Sequence, residues 1–257
     1  MPATYTHYYF GKKVLSKLPK AYQDLINAHR DLYDIGQHGP DLLFYHYPLN
    51  NNPIKDIGYK MHDKSGKAFF SYASTIHQNR EADLAYLYGF ICHFTLDAYC
   101  HPYVESYIKN EGVSHFQIEM QLDRYLLEKE GLNVFKYPMG HHLHPSNNSD
   151  QVIAPYFKIT TPKDIHRAIV QMIGFHRLFK SSSDFKRWFL YTLMDLLHVS
   201  KYKEQIISKY PNPKCLKSNQ ELDALIEKAL PKAVELIERF VDDGPIDELY
   251  NHTFGDE

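Results

Sequence analysis

His93 and His101 bracket Asp97 in the run H-F-T-L-D-A-Y-C-H, and H-F-Q-I-E follows from His115 to Glu119. In an α-helix, residues four apart lie on one face, one turn above the other. His93, Asp97 and His101 therefore project from one stripe, and His115 and Glu119 from a stripe on the next helix. Imidazoles and carboxylates are the ligands that borderline divalent ions such as Zn²⁺ take. Five of them on two adjacent helices point to a metal-dependent hydrolase. The plainer account of each residue alone is helix decoration, because polar residues at four-residue spacing are common. Asp97 weighs against that account, since it follows the apolar stretch from Ile91 to Leu96. Burying an ionised carboxylate without a partner costs several kcal/mol, on the order of the whole net stability. A metal is such a partner, and it also holds the flanking histidines neutral.

Helices must position these residues, and helical periodicity dominates the chain. The pattern predicts short helices over Tyr8 to Leu18 and Ala21 to Leu32, broken near Pro19, then irregular chain from Asp34 to Asn52. Gly39-Pro40 and the run from Pro48 to Pro53 carry turn chemistry. A helix is expected from Ser65 to Gln78, and a long one from Glu81 to His101 that Pro102 helps to end. Ser114 with Gln117 reads as a capping box, starting a helix that puts His115 in its first turn and runs to about Glu130. Lys136 to Asp150, with His141, His142 and His144, reads as a solvated loop. Three further helices follow: one capped by Thr161-Pro162, one opened by Ser183-Asp184 and running to about Ser208, and one from Ser218 to Val241. Strand alternation is nearly absent and no linker or repeat divides the chain. The expectation is one all-α domain over residues 1–257, with a metal-site core at about 5–130 and C-terminal packing helices at about 161–250.

Composition narrows the setting. Sixteen histidines, 21 tyrosines and 15 phenylalanines stand out, and the aromatics are most simply core material. A net charge of −2 and a pI near 6.8 give no overall pull toward nucleic acid or an anionic membrane. Cys92, Cys100 and Cys215 make no C-x-x-C pair, and their odd number argues against a disulfide framework. No basic stretch followed by an apolar one opens the chain, and no apolar run is long enough to span a bilayer. The expected setting is soluble, reduced and cytoplasmic, or secreted if a leader precedes Met1. In the cytoplasm the sequons at Asn147 and Asn251 carry no meaning.

Upstream lie further ligand candidates: His7, Asp41 after Gly39-Pro40, and His62 in K-M-H-D. In chain order, T-H-Y-Y-F-G-K-K-V, G-P-D-L-L-F-Y, M-H-D-K-S-G-K, His93-x-x-x-Asp97 with His101, and His115-x-x-x-Glu119 make an ordered series over about residues 5–130. This series resembles the zinc-dependent phospholipase C family, whose all-helical fold also underlies the S1/P1 nucleases. The resemblance implies two or three zinc ions. Asp41, His62, His93 and Asp97 would hold the first, and His101, His115 and Glu119 the second. His7, a shared Asp97 carboxylate and the chain's own N-terminal amine and carbonyl would hold the third. In the family that terminus is a tryptophan exposed by processing. Here the one tryptophan is Trp188, and removing Met1 would expose Pro2. His46 competes with His62 for its place, while Asp63 and His77 read as surface residues and Cys100 as packing.

Metals a few Å apart acidify a water, clamp phosphate oxygens and stabilise the leaving oxygen. Asp41 is the candidate catalytic carboxylate, both ligand and base, with Glu119 as the alternative proton handler. Its bland alternative is a turn aspartate. The implied activity is a phosphoesterase of phospholipase C type acting on a phospholipid or other small phosphodiester. Phe44, Tyr45 and Tyr47 could line a head-group pocket, although no membrane-binding module is evident. Two other readings stand beside it: a nuclease or nucleotidase on the same scaffold, and a non-catalytic, zinc-stabilised helical binding protein. Near-neutral charge speaks against a long nucleic-acid partner.

Overall fold

The computed structural model describes residues 4–77, 80–180 and 183–255. Its helices are α1 (Thr4–Lys17), α2 (Lys20–Ala28), α3 (Arg30–Gly36), α4 (Pro53–His62), α5 (Gly66–Ile76), α6 (Glu81–Glu111), α7 (His115–Lys129), α8 (Asn147–Ile153), α9 (Pro162–Phe179), α10 (Asp184–Leu196) and α11 (Leu216–Asp243). Short 3₁₀ segments, notably Gly39–Tyr45 and Ser200–Gln205, join them. Among the described residues the only β-type pairing is an isolated bridge between Ser65 and Thr253. The chain is all-α.

The long helix α6 forms the axis, packed by α3, α11 and α1. Its turns from Leu84 to Leu96 are buried all round, as expected of a helix that is apolar on every side. Phe90 and Phe94 meet Phe69 and Phe70 of α5, with Phe254 of the C-terminal tail closing the aromatic cluster. Helix α3 approaches α6 unusually closely at Gly36 and Gly89. A Cβ on Gly36 would lie 2.3 Å from the Tyr86 carbonyl, and one on Gly89 would lie 2.2 Å from the Tyr33 carbonyl. That contact sets the Gly39–Tyr45 segment directly against the middle of α6.

Several boundaries differ from the sequence expectation. Helix α6 continues through Pro102 for a further nine residues and ends at Gly112, whose φ is +62°. Proline forfeits one backbone bond there, but Val104 and Tyr107 beyond it are buried, and their packing outweighs the loss. Helix α4 lies where no helix was expected; Asn52 caps it by accepting from Lys55 N–H, and Pro53 occupies the first turn. The supposed loop at 136–150 contains the start of α8, opened by a reciprocal Ser146–Ser149 capping box. Ser114 caps α7 by accepting from Gln117 N–H, but the reciprocal half of the expected capping box is not made: the Gln117 side chain accepts from Asn212 instead. Helix α10 stops at Leu196 rather than near Ser208, and α11 begins at Leu216, two residues before Ser218. The helix expected to reach Gln78 ends at Ile76, and Gln78 itself lies outside the described residues.

Candidate metal centre

Five elements meet around Asp97. Helix α6 supplies His93, Asp97 and His101 at four-residue steps, and α7 supplies His115 and Glu119. Helix α1 contributes His7, the 3₁₀ segment Asp41, and the last residue of α4 is His62. Three groups result: Asp41 with His62 and His93, His7 with His93 and Asp97, and His101 with His115 and Glu119. Within each group the donor atoms lie within 4.8 Å of one another. All eight sequence candidates thus meet in one cluster, and His93 is common to two groups.

The contacts inside the cluster are short. His93 Nε2 lies 3.0 Å from Asp97 Oδ2, His7 Nε2 3.5 Å from Oδ1, and His101 Nε2 3.7 Å from the same Oδ1. His62 Nε2 stands 3.0 Å from Asp41 Oδ1, and His115 Nε2 3.0 Å from Glu119 Oε1. His101 Nε2, 4.0 Å from Glu119, links the two helices. His46 stays outside: its ring faces Asn52 at 3.1 Å and Asp164 at 3.4 Å. The structure therefore brings His62, not His46, against Asp41.

Hydrogen bonds around the cluster fix which ring nitrogen faces inward. His93 Nδ1–H donates to the Gln37 carbonyl at 3.2 Å, and His62 Nδ1–H to the Gly58 carbonyl at 2.8 Å. A carbonyl only accepts, so Nδ1 carries the proton in both rings and each Nε2 presents its lone pair to the cluster. His93 Nε2, His62 Nε2 and Glu119 Oε2, all facing into the cluster, are buried without a hydrogen-bond partner. Buried polar atoms left unmatched are costly, and a bound cation would satisfy them. The donor set of imidazole nitrogens and carboxylate oxygens suits zinc. The residues present fit the group.

Titration follows the same crowding. Burial, reinforced by the neighbouring His93 ring, lowers His7 to about 4, keeping it neutral. Burial alone would raise the carboxyls, yet the facing imidazoles hold Asp97 below its ordinary range. His62 and His93 help to do the same for Asp41, and His115 for Glu119. Burial opposes protonation of His62, but Asp41 outweighs it and raises the pKa. The centre is thus built of ionised carboxylates among rings with an inward lone pair.

Several supporting residues escaped the sequence reading. Asp123 extends the α7 series by one more turn and is fully buried; it accepts from Tyr5 N–H at 3.2 Å and Thr6 N–H at 2.8 Å. Those are orphan donors of the first turn of α1, so Asp123 seats the helix that carries His7. Burial raises its carboxyl to about 7. Continuing the four-residue rule from His115 and Glu119 would have found it. Phe254 lies 6.3 Å from the His93 ring and 6.4 Å from His62, ring centre to ring centre; nothing in the tail's sequence signals that. Two minor expectations are corrected. His77 is buried beside Phe240 because it ends α5 inside the fold, whereas Asp63 is exposed. His142 is not in a solvated loop: it is buried, stacks on Tyr8 and pairs with His38 at 2.8 Å. His141 and His144 are exposed. The three cysteines are buried and unpaired, and the proposed N-terminal ligand lies outside the described residues.

A cavity of about 130 Å³ beside the centre is lined by Phe44, Tyr45, Tyr59, Phe116, Phe175 and Tyr202, with Lys55 at its wall. Phe44 stacks toward His62 at 5.3 Å, and Phe116 follows His115 in the chain. A larger hollow of about 570 Å³ between α8 and α9 contains none of the candidate ligands.

With this geometry in place, comparison with known families is direct. The family model described as zinc dependent phospholipase C matches residues 6–202. The chain belongs to that family, a family of zinc-dependent hydrolases. No curated protein and no solved structure matches it.

Proposed function

We propose that the protein is a zinc-dependent phosphodiesterase of phospholipase C type, cleaving the glycerol side of a phospholipid phosphate. The observation carrying this reading is the meeting of three three-residue ligand groups, two sharing His93 and the third joined to Asp97 through His101, next to an aromatic cleft. Asp41, His62, His93 and Asp97 would hold one zinc, His101, His115 and Glu119 a second, and His7 with Asp97 a third. Zinc bound there supplies acidification of a water and charge neutralisation at the phosphate.

The protein's own groups supply the rest. Asp41, ionised at any physiological pH, orients the attacking water and accepts its proton. A carboxyl held so firmly in its charged form is a weak base, so orientation is its larger contribution. Glu119 is likewise held in its charged form and has no proton to donate, so the leaving oxygen takes the proton that Asp41 removed from the water. The rings of Phe44, Tyr45 and Tyr59 offer faces to a cationic head group, and apolar walls favour a lipid over a polynucleotide. The test is direct competition: hydrolysis of bis-p-nitrophenyl phosphate is followed while phosphatidylcholine or single-stranded DNA is added. Inhibition by the lipid and release of diacylglycerol support the reading. Inhibition by DNA alone would favour a nuclease, and absence of any hydrolysis a zinc-stabilised binding protein.

A further inference from the structure

Helix α10 carries a second apolar face that is largely open to solvent among the described residues. Phe185, Trp188, Phe189, Leu193 and Leu196 recur at steps of three and four residues, which places them on one stripe of the helix. They are 73, 61, 51, 37 and 73 % exposed. On the opposite side Leu190 and Met194 are buried, in a small core shared with Ile206 and separate from the main one. An isolated exposed leucine means little, but a continuous aromatic and aliphatic ridge on a soluble-facing helix is a docking surface.

Charge says what docks there. The whole chain carries −2, yet the segment from Arg177 to Tyr210 holds seven lysines and arginines against three carboxylates, Asp184, Asp195 and Glu204. This segment is therefore at +4 and the remainder at −6. Arg187 and Lys209 pair with Asp184 and Lys203 with Asp195, and an apolar ridge of Phe, Trp and Leu within a segment of net positive charge is the pattern of a helix that lies in the plane of an anionic bilayer. A second copy of the chain would bring the same positive surround against itself, at a Coulomb cost. No helix among the described residues is long and apolar enough to cross a membrane, so the contact is with the surface.

The position of α10 ties this surface to the cleft. The helix packs on the 3₁₀ segment Ser200–Gln205. Tyr202 of that segment joins the small core under α10 and also lines the cleft beside the metal centre. We infer that the α10 ridge docks the protein on anionic phospholipid surfaces and so presents the cleft to lipid in the bilayer. The inference deepens the phospholipase reading and rests on it for its purpose, but docking itself needs no turnover.

Trp188 is the chain's one tryptophan, so its fluorescence reports this surface alone. The full-length protein is titrated with vesicles of equimolar phosphatidylcholine and phosphatidylglycerol, and co-sedimentation is followed in parallel. Docking shifts Trp188 emission to shorter wavelength, sediments the protein, and weakens as salt is raised. Phe185→Glu and Phe189→Glu each weaken partitioning roughly ten-fold or more, the scale of losing one buried aromatic ring. Circular dichroism and melting temperature confirm that these exposed positions still fold. Emission and sedimentation unchanged by vesicles would overturn the inference. So would a blue-shifted Trp188 in a lipid-free dimer, seen by analytical ultracentrifugation, which would assign the ridge to a second copy. Vesicle docking with no diacylglycerol release would uphold docking and remove the phospholipase reading. Hydrolysis of monomeric short-chain phosphatidylcholine by a protein that ignores vesicles would do the reverse.

Discussion

Gly39→Ala tests the packing on which the metal centre depends. Gly39 has φ +47°, and a Cβ there would lie 2.2 Å from Cδ2 of His93 and 2.7 Å from its Nε2. Carbon atoms in contact sit at about 3.5–4.0 Å, so the His93 ring would have to move by more than an ångström. It has no room, being fully buried between Gly39 and the aromatic cluster. The left-handed backbone alone costs a non-glycine residue about 1–2 kcal/mol, and the overlap adds about 1–3 kcal/mol. Gly112→Ala separates the two effects: its φ is +62°, yet nothing lies within 4 Å of the added methyl. For a chain of this size these figures translate into a melting point lowered by roughly 2–8 °C for Gly112→Ala and 4–20 °C for Gly39→Ala. Calorimetry and bound zinc are measured on both variants. Gly39→Ala should lose zinc and Gly112→Ala should keep it. A Gly39→Ala protein with wild-type zinc, melting no lower than Gly112→Ala, would refute the reasoning.

Three further outcomes follow from the same geometry. Asp123→Ala removes the acceptor for the first turn of α1 and should cost about 1–3 kcal/mol; titration calorimetry should show zinc affinity falling at the group containing His7, with the His101, His115 and Glu119 group unchanged. Phe254→Ala should destabilise by about 3–5 kcal/mol, read by denaturant unfolding, because its ring closes the cluster under His93. Zinc should be released as pH falls, the group containing His62 first. Its pKa is raised above 6.5, so it takes up a proton earlier than a free imidazole, whereas His7 stays neutral down to about 4. In zinc-stripped protein the His62 contribution has the other sign: it is present below 6.5 and lost as pH rises through the raised value. Equilibrium dialysis and melting curves over pH check both.

The candidate cluster was legible because metal ligation and helix geometry share one spacing rule. His93, Asp97 and His101 on α6, and His115 and Glu119 on α7, follow from steps of four. Asp41 and His62 lie in or beside segments whose shape depends on tertiary contact, and only the ordered series of motifs flagged them. Pro102 misled because local preference argues for a helix end, while the burial of Val104 and Tyr107 acts at long range. Helix α4 was overlooked although Asn52-Pro53 is a sound start signal, since the preceding turn residues dominated the reading. Phe254 and the Gly39 approach to His93 are products of chain crossings that no local pattern encodes. The ridge on α10 was hidden by averaging: near-neutral net charge conceals a basic segment, and apolar spacing does not say which stripe is covered.

The central claim is that this cluster binds several zinc ions through Asp97. Elemental analysis of the purified protein, after brief dialysis without chelator, tests it most directly. The account predicts two or three zinc ions per chain, with His93 serving one of them through its single inward lone pair. Asp97→Asn should bind less zinc and be about 3–5 kcal/mol less stable, as when one partner of a buried charge pair is removed. One equivalent or less in the wild type, with no recovery on adding zinc, would contradict the account, as would an Asp97→Asn protein with unchanged zinc and melting temperature.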